Sequence, residues 1–263
     1  MSRRMPAWVP KQHGAWAMLV VPYLAGLLVR VHDGAGVPAF AYPLFGFWLA
    51  GYFAFNAAST WLKAAPARRG RLGRPLLVCA AVSAAFGLVT LWLAGWTVLA
   101  WVPVYACLLV PALWLASRRR ERATIGGLLT TAAASLLVLV VGWTSPLGLP
   151  WGSPLVTDAA ACAALVFGYF GGTVLYVKSN IRERGNARFA RVSVGWHVAW
   201  LAIAALGWAS GWASAWWAAF FAVTVARAWA VPRRRPGLRP MQLGLIEIAL
   251  CVVLLVALGA VGV

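Results

Sequence analysis

Acidic residues are the scarcest feature of this chain. Only 5 Asp or Glu stand against 23 Lys or Arg in 263 residues, which gives a formal net charge of +18. Charged residues of both signs make up 11% of the sequence, whereas 63% is hydrophobic. Such a chain has too few polar residues to be disordered, to cover a soluble core or to form the charged surface of a soluble nucleic-acid binder. The composition therefore predicts a polytopic membrane protein with no nucleic-acid partner.

Cysteine and histidine are also few, with 4 Cys and 3 His. The cysteines lie inside long apolar runs, without a CxxC pair or a neighbouring His: Cys79, Cys107, Cys162 and Cys251. Buried Cys behaves as a small hydrophobic residue, so no disulfide, metal site or cofactor is predicted. The first apolar run is too long for a signal peptide and lacks a small-residue cleavage site. A hydrolase activity is not indicated, because the sequence has no paired carboxylates and no Ser/His/Asp set.

Nine apolar runs are long enough to cross a membrane, since a helical crossing needs roughly 20 residues. They cover about residues 12–31, 41–62, 75–94, 98–116, 124–144, 155–177, 189–207, 211–231 and 241–262. We therefore expect an all-α bundle of nine transmembrane helices that forms a single domain over residues 1–263.

The gaps between these runs alternate in charge, and this alternation predicts the orientation. Of the 23 basic residues, 22 fall on one side, and only Arg30 falls on the other. Cytoplasmic loops carry the excess of Lys and Arg, so the N-terminus is predicted to be cytoplasmic and the C-terminus outside. The expected location is the bacterial inner membrane, with the lipid bilayer as the main partner. The sequence does not indicate an oligomeric state.

A few polar residues lie inside or at the mouth of the predicted spans, where ionisable groups are costly and usually face a bundle interior. Glu247 has two interpretations that stay open: a functional carboxylate, or a structural salt bridge to a Lys or Arg of a neighbouring span. His197 either binds a ligand or is a hydrogen-bonded packing residue. Asn56 either binds a ligand or makes a hydrogen bond between helices. His13 marks either a site or the start of a helix. All four are predicted to share one cytoplasmic layer with Lys63, Lys178, Asn180, Arg182 and Glu183.

Three segments together resemble the YwiC-like family of bacterial integral membrane proteins. They are 10-PKQHGAWAMLVVPYLAG-26, 172-GTVLYVKSNIRERGNAR-188 and 239-RPMQLGLIEI-248. The resemblance covers nearly the whole chain. It implies a multi-pass membrane protein but no particular reaction.

More distantly, the chain resembles the UbiA superfamily of intramembrane prenyltransferases. That resemblance implies nine helices, a cytoplasmic N-terminus and two Asp-rich motifs, which follow helices two and six. Asn56 and the downstream Arg74-Pro75 are similar to the ends of the first motif, and Asn180-Ile181-Arg182-Glu183 is similar to the second. Where the first motif has its aspartates, this chain has Ala57, Thr60 and Ala64.

The missing aspartates change the chemistry that this resemblance implies. In those enzymes the carboxylates hold Mg²⁺, which binds the prenyl diphosphate, and one remaining Glu cannot do so alone. Because Lys and Arg bind phosphate directly, we expect a metal-independent site for an isoprenoid or another amphipathic anion, such as a phosphate-bearing lipid. The candidate ligand-binding residues are His13, Asn56, Lys63, Tyr176, Lys178, Asn180, Arg182 and His197. If the protein is an enzyme, a UbiA-like transferase, the catalytic candidates are Glu183 and Glu247.

Three alternatives stay open at this point. The cations could simply set the topology and touch lipid phosphate nonspecifically. The protein could be a transporter or permease of a small solute, which would need a polar path to the Trp-rich face. It could also be a non-catalytic partner or assembly protein that docks through its basic face.

Overall fold

The computed structural model describes residues 15–118, 120, 123–235 and 237–263. Within these residues all regular secondary structure is helical, which confirms the all-α fold class. The helices are α1 Ala15–His32, α2 Ala41–Lys63, α3 Pro66–Ala94, a 3₁₀ helix Trp96–Ala100, α4 Trp101–Ser117, α5 Thr124–Ser135, α6 Leu137–Val140, α7 Pro154–Ile181, α8 Ala187–Ala209, α9 Ala215–Arg234 and α10 Pro240–Val261.

Several of these helices are long and apolar enough to cross a membrane. Among the described residues they are Pro66–Ala94, Trp96–Ser117, Pro154–Ile181, Ala187–Ala209 and Pro240–Val261. Trp16–His32 and Thr124–Val140 are shorter apolar helices. Helices α2 and α9 occupy two further predicted spans, but their Trp, Tyr and Arg side chains make them less hydropathic. The chain is thus a membrane protein with several spans, while nine crossings and the orientation stay predictions.

Two of the predicted span boundaries differ from the helices observed. Helix α3 begins at Pro66, about nine residues before the predicted start at 75, because Pro66 fits the first helical position after the extended Ala65. Its arginines therefore lie in the first turns of a helix and not in a loop. The predicted span 124–144 is divided into α5 and α6 at Leu136. Thr131 donates to the carbonyl of Gly127 at 2.8 Å just before this break, and such bonds tend to bend helices.

The chain forms two compact units. The first unit contains, of the described residues, 15–19, 37–133 and 140–149. In it α2 packs against α3 and α4. The hydroxyl of Ser83 on α3 donates to the carbonyl of Phe47 at 3.2 Å, so the two backbones approach closely.

The second unit contains residues 20–36, 134–139 and 150–263. Helix α7 is its centre and contacts α8, α9 and α10. Of the most apolar stretch of α7, 72% is buried, against 22% for the corresponding stretches of α8 and α10. The exposed faces of α8 and α10 carry mainly aliphatic side chains, which suit contact with lipid.

Local signals set the ends of the helices in the second unit. Ser153 accepts a hydrogen bond from the backbone N–H of Val156 before α7, and Asn186 accepts one from Phe189 before α8. Gln242 accepts from the backbone N–H of Arg239 at the start of α10. The α7–α8 and α9–α10 loops therefore have fixed positions. Arg184 of the first loop donates to the carbonyl of Leu238 in the second at 3.4 Å, so both loops lie at the same end.

Candidate functional site

A buried polar stripe runs along one face of α7. Tyr169, Thr173, Tyr176 and Asn180 follow each other at intervals of three or four residues, and residues at this spacing lie on the same face of a helix. All four are buried. Because α7 is surrounded by α8, α9 and α10, this stripe needs polar partners on those helices.

Glu247 on α10 supplies one such partner, and its carboxylate is fully engaged. One oxygen accepts from Nη1 of Arg227 in a buried salt bridge. The other accepts from the hydroxyl of Thr173 at 2.7 Å and from that of Tyr169 at 3.1 Å. The structure therefore contains the salt bridge to a neighbouring span that the sequence left open. A catalytic role for Glu247 stays a prediction, and any such role would require these bonds to open.

Arg227 is a buried cation of the second unit. The charge tally groups it with the basic residues in or beside the gap after the predicted span 211–231, and in the structure it lies inside α9 and is 7% exposed. It lies seven residues before the end of that helix, or about two turns from the basic run that follows. Its burial is possible because Glu247 neutralises it, and a buried cation without a partner is costly.

His197 on α8 completes the network around Arg227. Its Nε2 lies 3.1 Å from Nη2 of Arg227, and its Nδ1 lies 2.7 Å from the carbonyl oxygen of Ser193. A guanidinium is only a donor, so Nε2 must accept, and the proton is on Nδ1, which donates to Ser193. His197 is therefore a neutral imidazole. Gly172 on α7 makes room for it, because a Cβ at this position would lie 2.7 Å from Nε2.

Tyr176 separates the network from the cationic end of the second unit. The guanidinium carbon of Arg227 lies 4.2 Å from the centre of the Tyr176 ring, in a cation–π contact. On the other side Tyr176 packs with Ala228 and Leu243, and partly buried aliphatic residues cover this cluster. Beyond the network, towards the other end, α9 contributes Phe220 and Phe221. Arg227, Glu247 and His197 thus lie between two apolar layers.

The other predicted residues of the second unit lie at or near the loop after α7. Asn180 is buried and donates to the carbonyl of Tyr176 at 2.8 Å. Lys178 lies 5.0 Å from the centre of the Phe189 ring, and Arg182 is exposed at the end of α7. Glu183 accepts from the side chain of Asn186 at 2.9 Å, which stabilises the turn into α8.

The remaining predicted residues lie outside this network. Asn56 and Lys63 are half-buried on α2 in the first unit, and the carbonyl of Asn56 accepts from Thr60 at 2.9 Å. His13 lies outside the described residues. Among the residues that the structure describes, no three His, Cys, Asp or Glu side chains are close enough together to hold a metal ion.

Comparison with known proteins identifies relatives of this chain. Residues 9–142 match the model of a family described as "YwiC-like protein". The Bacillus subtilis (strain 168) protein named "Uncharacterized protein YwiC" is 30% identical over 218 residues, which cover 78% of this chain and 81% of that protein. The chain belongs to the YwiC-like family. No solved structure matches it. The more distant resemblance to UbiA prenyltransferases stays a prediction.

Three groups around Glu247 in this YwiC-like chain were not among the predicted site residues: the guanidinium of Arg227 and the hydroxyl groups of Tyr169 and Thr173. Tyr169 and Thr173 could have been found from the stripe that they form with Tyr176 and Asn180 on α7. Arg227 had a signal as well, because it falls inside the predicted span 211–231 together with aromatic and small residues. An Arg and a Glu that each lie inside an apolar run of a chain with 5 acidic residues are natural partners.

Proposed function

We propose that this YwiC-like membrane protein binds an amphipathic anion, such as an isoprenoid phosphate or another phosphate-bearing lipid, at the cationic end of its second unit. The protein would lie in the bacterial inner membrane with this end in the cytoplasm, after nine crossings that begin in the cytoplasm. Prenyl transfer that depends on Mg²⁺ is not part of the proposal.

The observation that carries the proposal is the distribution of charge in the second unit. Nine Lys or Arg lie on the two loops joined by Arg184 or in the adjoining helix turns, and Glu183 is the acidic residue among them. The nine are Lys178, Arg182, Arg184, Arg188, Arg191, Arg233, Arg234, Arg235 and Arg239. At the opposite end, where His32 of α1 adjoins Gly262 of α10, Arg30 is the basic residue. A phosphate would therefore be attracted to one end only.

Within this cationic end, Lys178 and Arg182 are the best candidates for direct contact with a phosphate. Arg184 donates to the carbonyl groups of Asn180 and Leu238, so its guanidinium has a structural role. Arg182 is exposed. Lys178 lies one helical turn before Arg182, and its ammonium group is held over the ring of Phe189. Charge-assisted hydrogen bonds from such groups bind phosphate without a metal.

The proposal gives the deeper residues a supporting role. Glu247 is engaged by Arg227, so the buried pair does not offer a free cation to an anion. Tyr176 and Asn180 would hold the last turn of α7, which carries Lys178 and Arg182, in position. A lipid tail could lie along exposed aliphatic residues of α8 and α10, such as Val192 and Leu245. Asn56, Lys63 and His13 stay candidate ligand-binding residues outside this part of the molecule.

Transport through the second unit is less well supported. A permease needs a polar path between the two membrane faces. On the buried face of α10, Leu243 precedes Glu247, and Cys251, Leu254 and Leu258 follow it. Phe220 and Phe221 of α9 lie on the same side of the network as Cys251, Leu254 and Leu258. In the described part of this unit, the charged network is thus closed by apolar side chains in both directions.

Native mass spectrometry of the purified protein, with identification of bound lipids, tests the proposal. A phosphate-bearing lipid should remain bound to the wild type, and the Lys178→Ala/Arg182→Ala variant should reduce it more than roughly tenfold. Hydrogen bonds to charged groups contribute about 1.5–3 kcal/mol each, so the loss of two is measurable. The matched control is Arg234→Ala/Arg235→Ala, which removes the same charge from the other loop and should retain the lipid.

Two results would overturn the proposal. If both double variants retain the lipid, these loops do not bind it. If both lose it equally, the cations act only through their total charge, as ordinary topology determinants do. Lys63→Ala, measured separately, reports whether the first unit contributes to binding.

A further inference from the structure

Some buried polar atoms of the second unit have no protein partner, and three of them belong to Arg227 or to residues that are linked to it. In the described part of the chain, six buried side-chain N or O atoms make no hydrogen bond. Three of them are Nε of Arg227, the hydroxyl of Tyr176 and the hydroxyl of Ser193. The ring of Tyr176 stacks on the guanidinium of Arg227. The backbone carbonyl of Ser193 accepts a hydrogen bond from His197, and His197 accepts one from the same guanidinium.

Such atoms are costly when they stay unpaired. Tyr176 and Ser193 are 0% and 1% exposed, so bulk water does not reach them. A buried donor without a partner loses its full hydration, which costs about 1–3 kcal/mol. Three of these groups next to one charged pair therefore indicate a shared partner that the protein itself does not supply.

We infer that a small internal water site lies beside the Arg227 guanidinium and is bounded by Tyr176, Ser193 and His197. A water molecule accepts from Nε of Arg227 and exchanges hydrogen bonds with the nearby hydroxyl groups, and buried waters usually have two to four such partners. The ligand is neutral, because Glu247 already balances the charge of Arg227 and a bound anion would leave a net negative charge in an apolar region. This inference is independent of the lipid site.

The apolar layer beside Tyr176 explains why this water is held. Ala228 and Leu243 pack on Tyr176, and Val194 and Val231 lie around this cluster. They separate the water site from the cationic end. The water is thus a structural part of the network, with slow exchange, and not an extension of the bulk solvent.

Radiolytic labelling of the intact protein in H₂¹⁸O tests the inference directly, because hydroxyl radicals formed from a bound water attack the side chains beside it. Tyr176 should incorporate ¹⁸O in spite of its burial. Tyr42, which is 67% exposed, is the positive control. Tyr105 of the first unit is the matched negative control, because its hydroxyl is also buried without a partner but packs by Trp48. If Tyr42 is labelled and Tyr176 stays as unlabelled as Tyr105, the site is dry and the inference is wrong.

A second measurement separates a water-filled site from three unsatisfied groups. If water binds there, Tyr176→Phe and Ser193→Ala each raise the unfolding equilibrium constant roughly two- to tenfold, because each removes a hydrogen bond. If the site is dry, both variants remove an unsatisfied group and leave the constant unchanged or lower. Tyr105→Phe and Ser59→Ala are the controls in the first unit and should not raise it. Their hydroxyl groups lie apart, since Tyr105 packs on Trp48, roughly 16 Å along α2 from Ser59.

Discussion

The two units of this protein accommodate positive charge in different ways. In the first unit the described basic residues lie at the end of α2, in the first turns of α3 or just after α4, and two of them rest on tryptophan rings. Arg69 lies 4.9 Å from the centre of the Trp61 ring, and Arg118 lies 5.5 Å from that of Trp114. In the second unit Arg227 is buried inside α9 and paired with Glu247. All four described acidic residues belong to this second unit: Asp33, Asp158, Glu183 and Glu247.

This difference shows what the rare acidic residues do. An exposed cation needs no carboxylate, since an aromatic face and water are sufficient for it. A buried cation needs a carboxylate, because the free energy lost on desolvation of an unpaired charge exceeds the free energy gained by packing its side chain. A chain with 5 acidic residues keeps one of them where a basic residue is buried between helices. We therefore expect the two units to respond very differently to the loss of a charge.

The largest effect is expected for the buried pair. Glu247→Leu and Arg227→Leu should each lower the free energy of unfolding by about 3–5 kcal/mol, because each leaves the partner buried and unpaired. The double variant should regain most of this loss, since apolar residues that replace both members of a buried pair are often neutral or stabilising. Equilibrium unfolding of the protein in mild detergent or bicelles measures all three.

The control for this cycle is Glu183→Gln, which removes the carboxylate of the α7–α8 loop. Glu183 bonds to Asn186 in a partly exposed turn, so its loss should change the stability by less than about 1 kcal/mol. If the double variant is as unstable as either single one, the pair does not behave as a unit. The contrast between the units would then not depend on charge pairing.

The positions of the helices could largely be predicted from the sequence. Backbone groups in lipid must be satisfied within a helix, so the length of an apolar run and its interruptions define the segment. Each predicted run overlaps one of the observed α-helices, or two in the case of α5 and α6. The start of α3 could not be predicted in this way, because it depends on Pro66 and not on hydropathy. The break at Leu136 depends on local bonds from threonines to the backbone.

The candidate site could be predicted only in part. The burial of Glu247 and His197 follows from their places inside apolar runs, and Tyr176 was among the candidate ligand-binding residues. The central cation was not found, because a tally of basic residues between spans treats Arg227 and Arg233 alike. The predicted span 211–231 contains Arg227 and not Arg233, but a single sequence does not state which helix supplies the partner of Arg227.

A smaller effect is expected for a glycine that makes room for the network. Gly172→Ala places a Cβ 2.7 Å from Nε2 of His197, which is fixed between Arg227 and Ser193. Overpacking at such a position costs about 1–3 kcal/mol. Gly46→Ala is the matched variant in the first unit, where the Cβ would meet the ring of Phe86 at 2.5 Å. That ring is 42% exposed and is not held by hydrogen bonds, so Gly46→Ala should cost less stability than Gly172→Ala. Thermal unfolding compares the two, and equal losses would show that His197 is no better fixed than Phe86.

The smallest effect is expected for the cations on tryptophan rings in the first unit. Trp61→Leu keeps an apolar side chain on α2 but removes the aromatic face below Arg69. Both side chains are half-buried, and such a contact contributes about 0.5–2 kcal/mol. Arg69 would still donate to the carbonyl of Ala64, which follows the last turn of α2. The free energy of unfolding should therefore fall by no more than this amount, and Trp114→Leu should behave alike at Arg118. A loss comparable to that of Glu247→Leu would contradict the comparison, because exposed cations would then matter as much to the first unit as the buried pair does to the second.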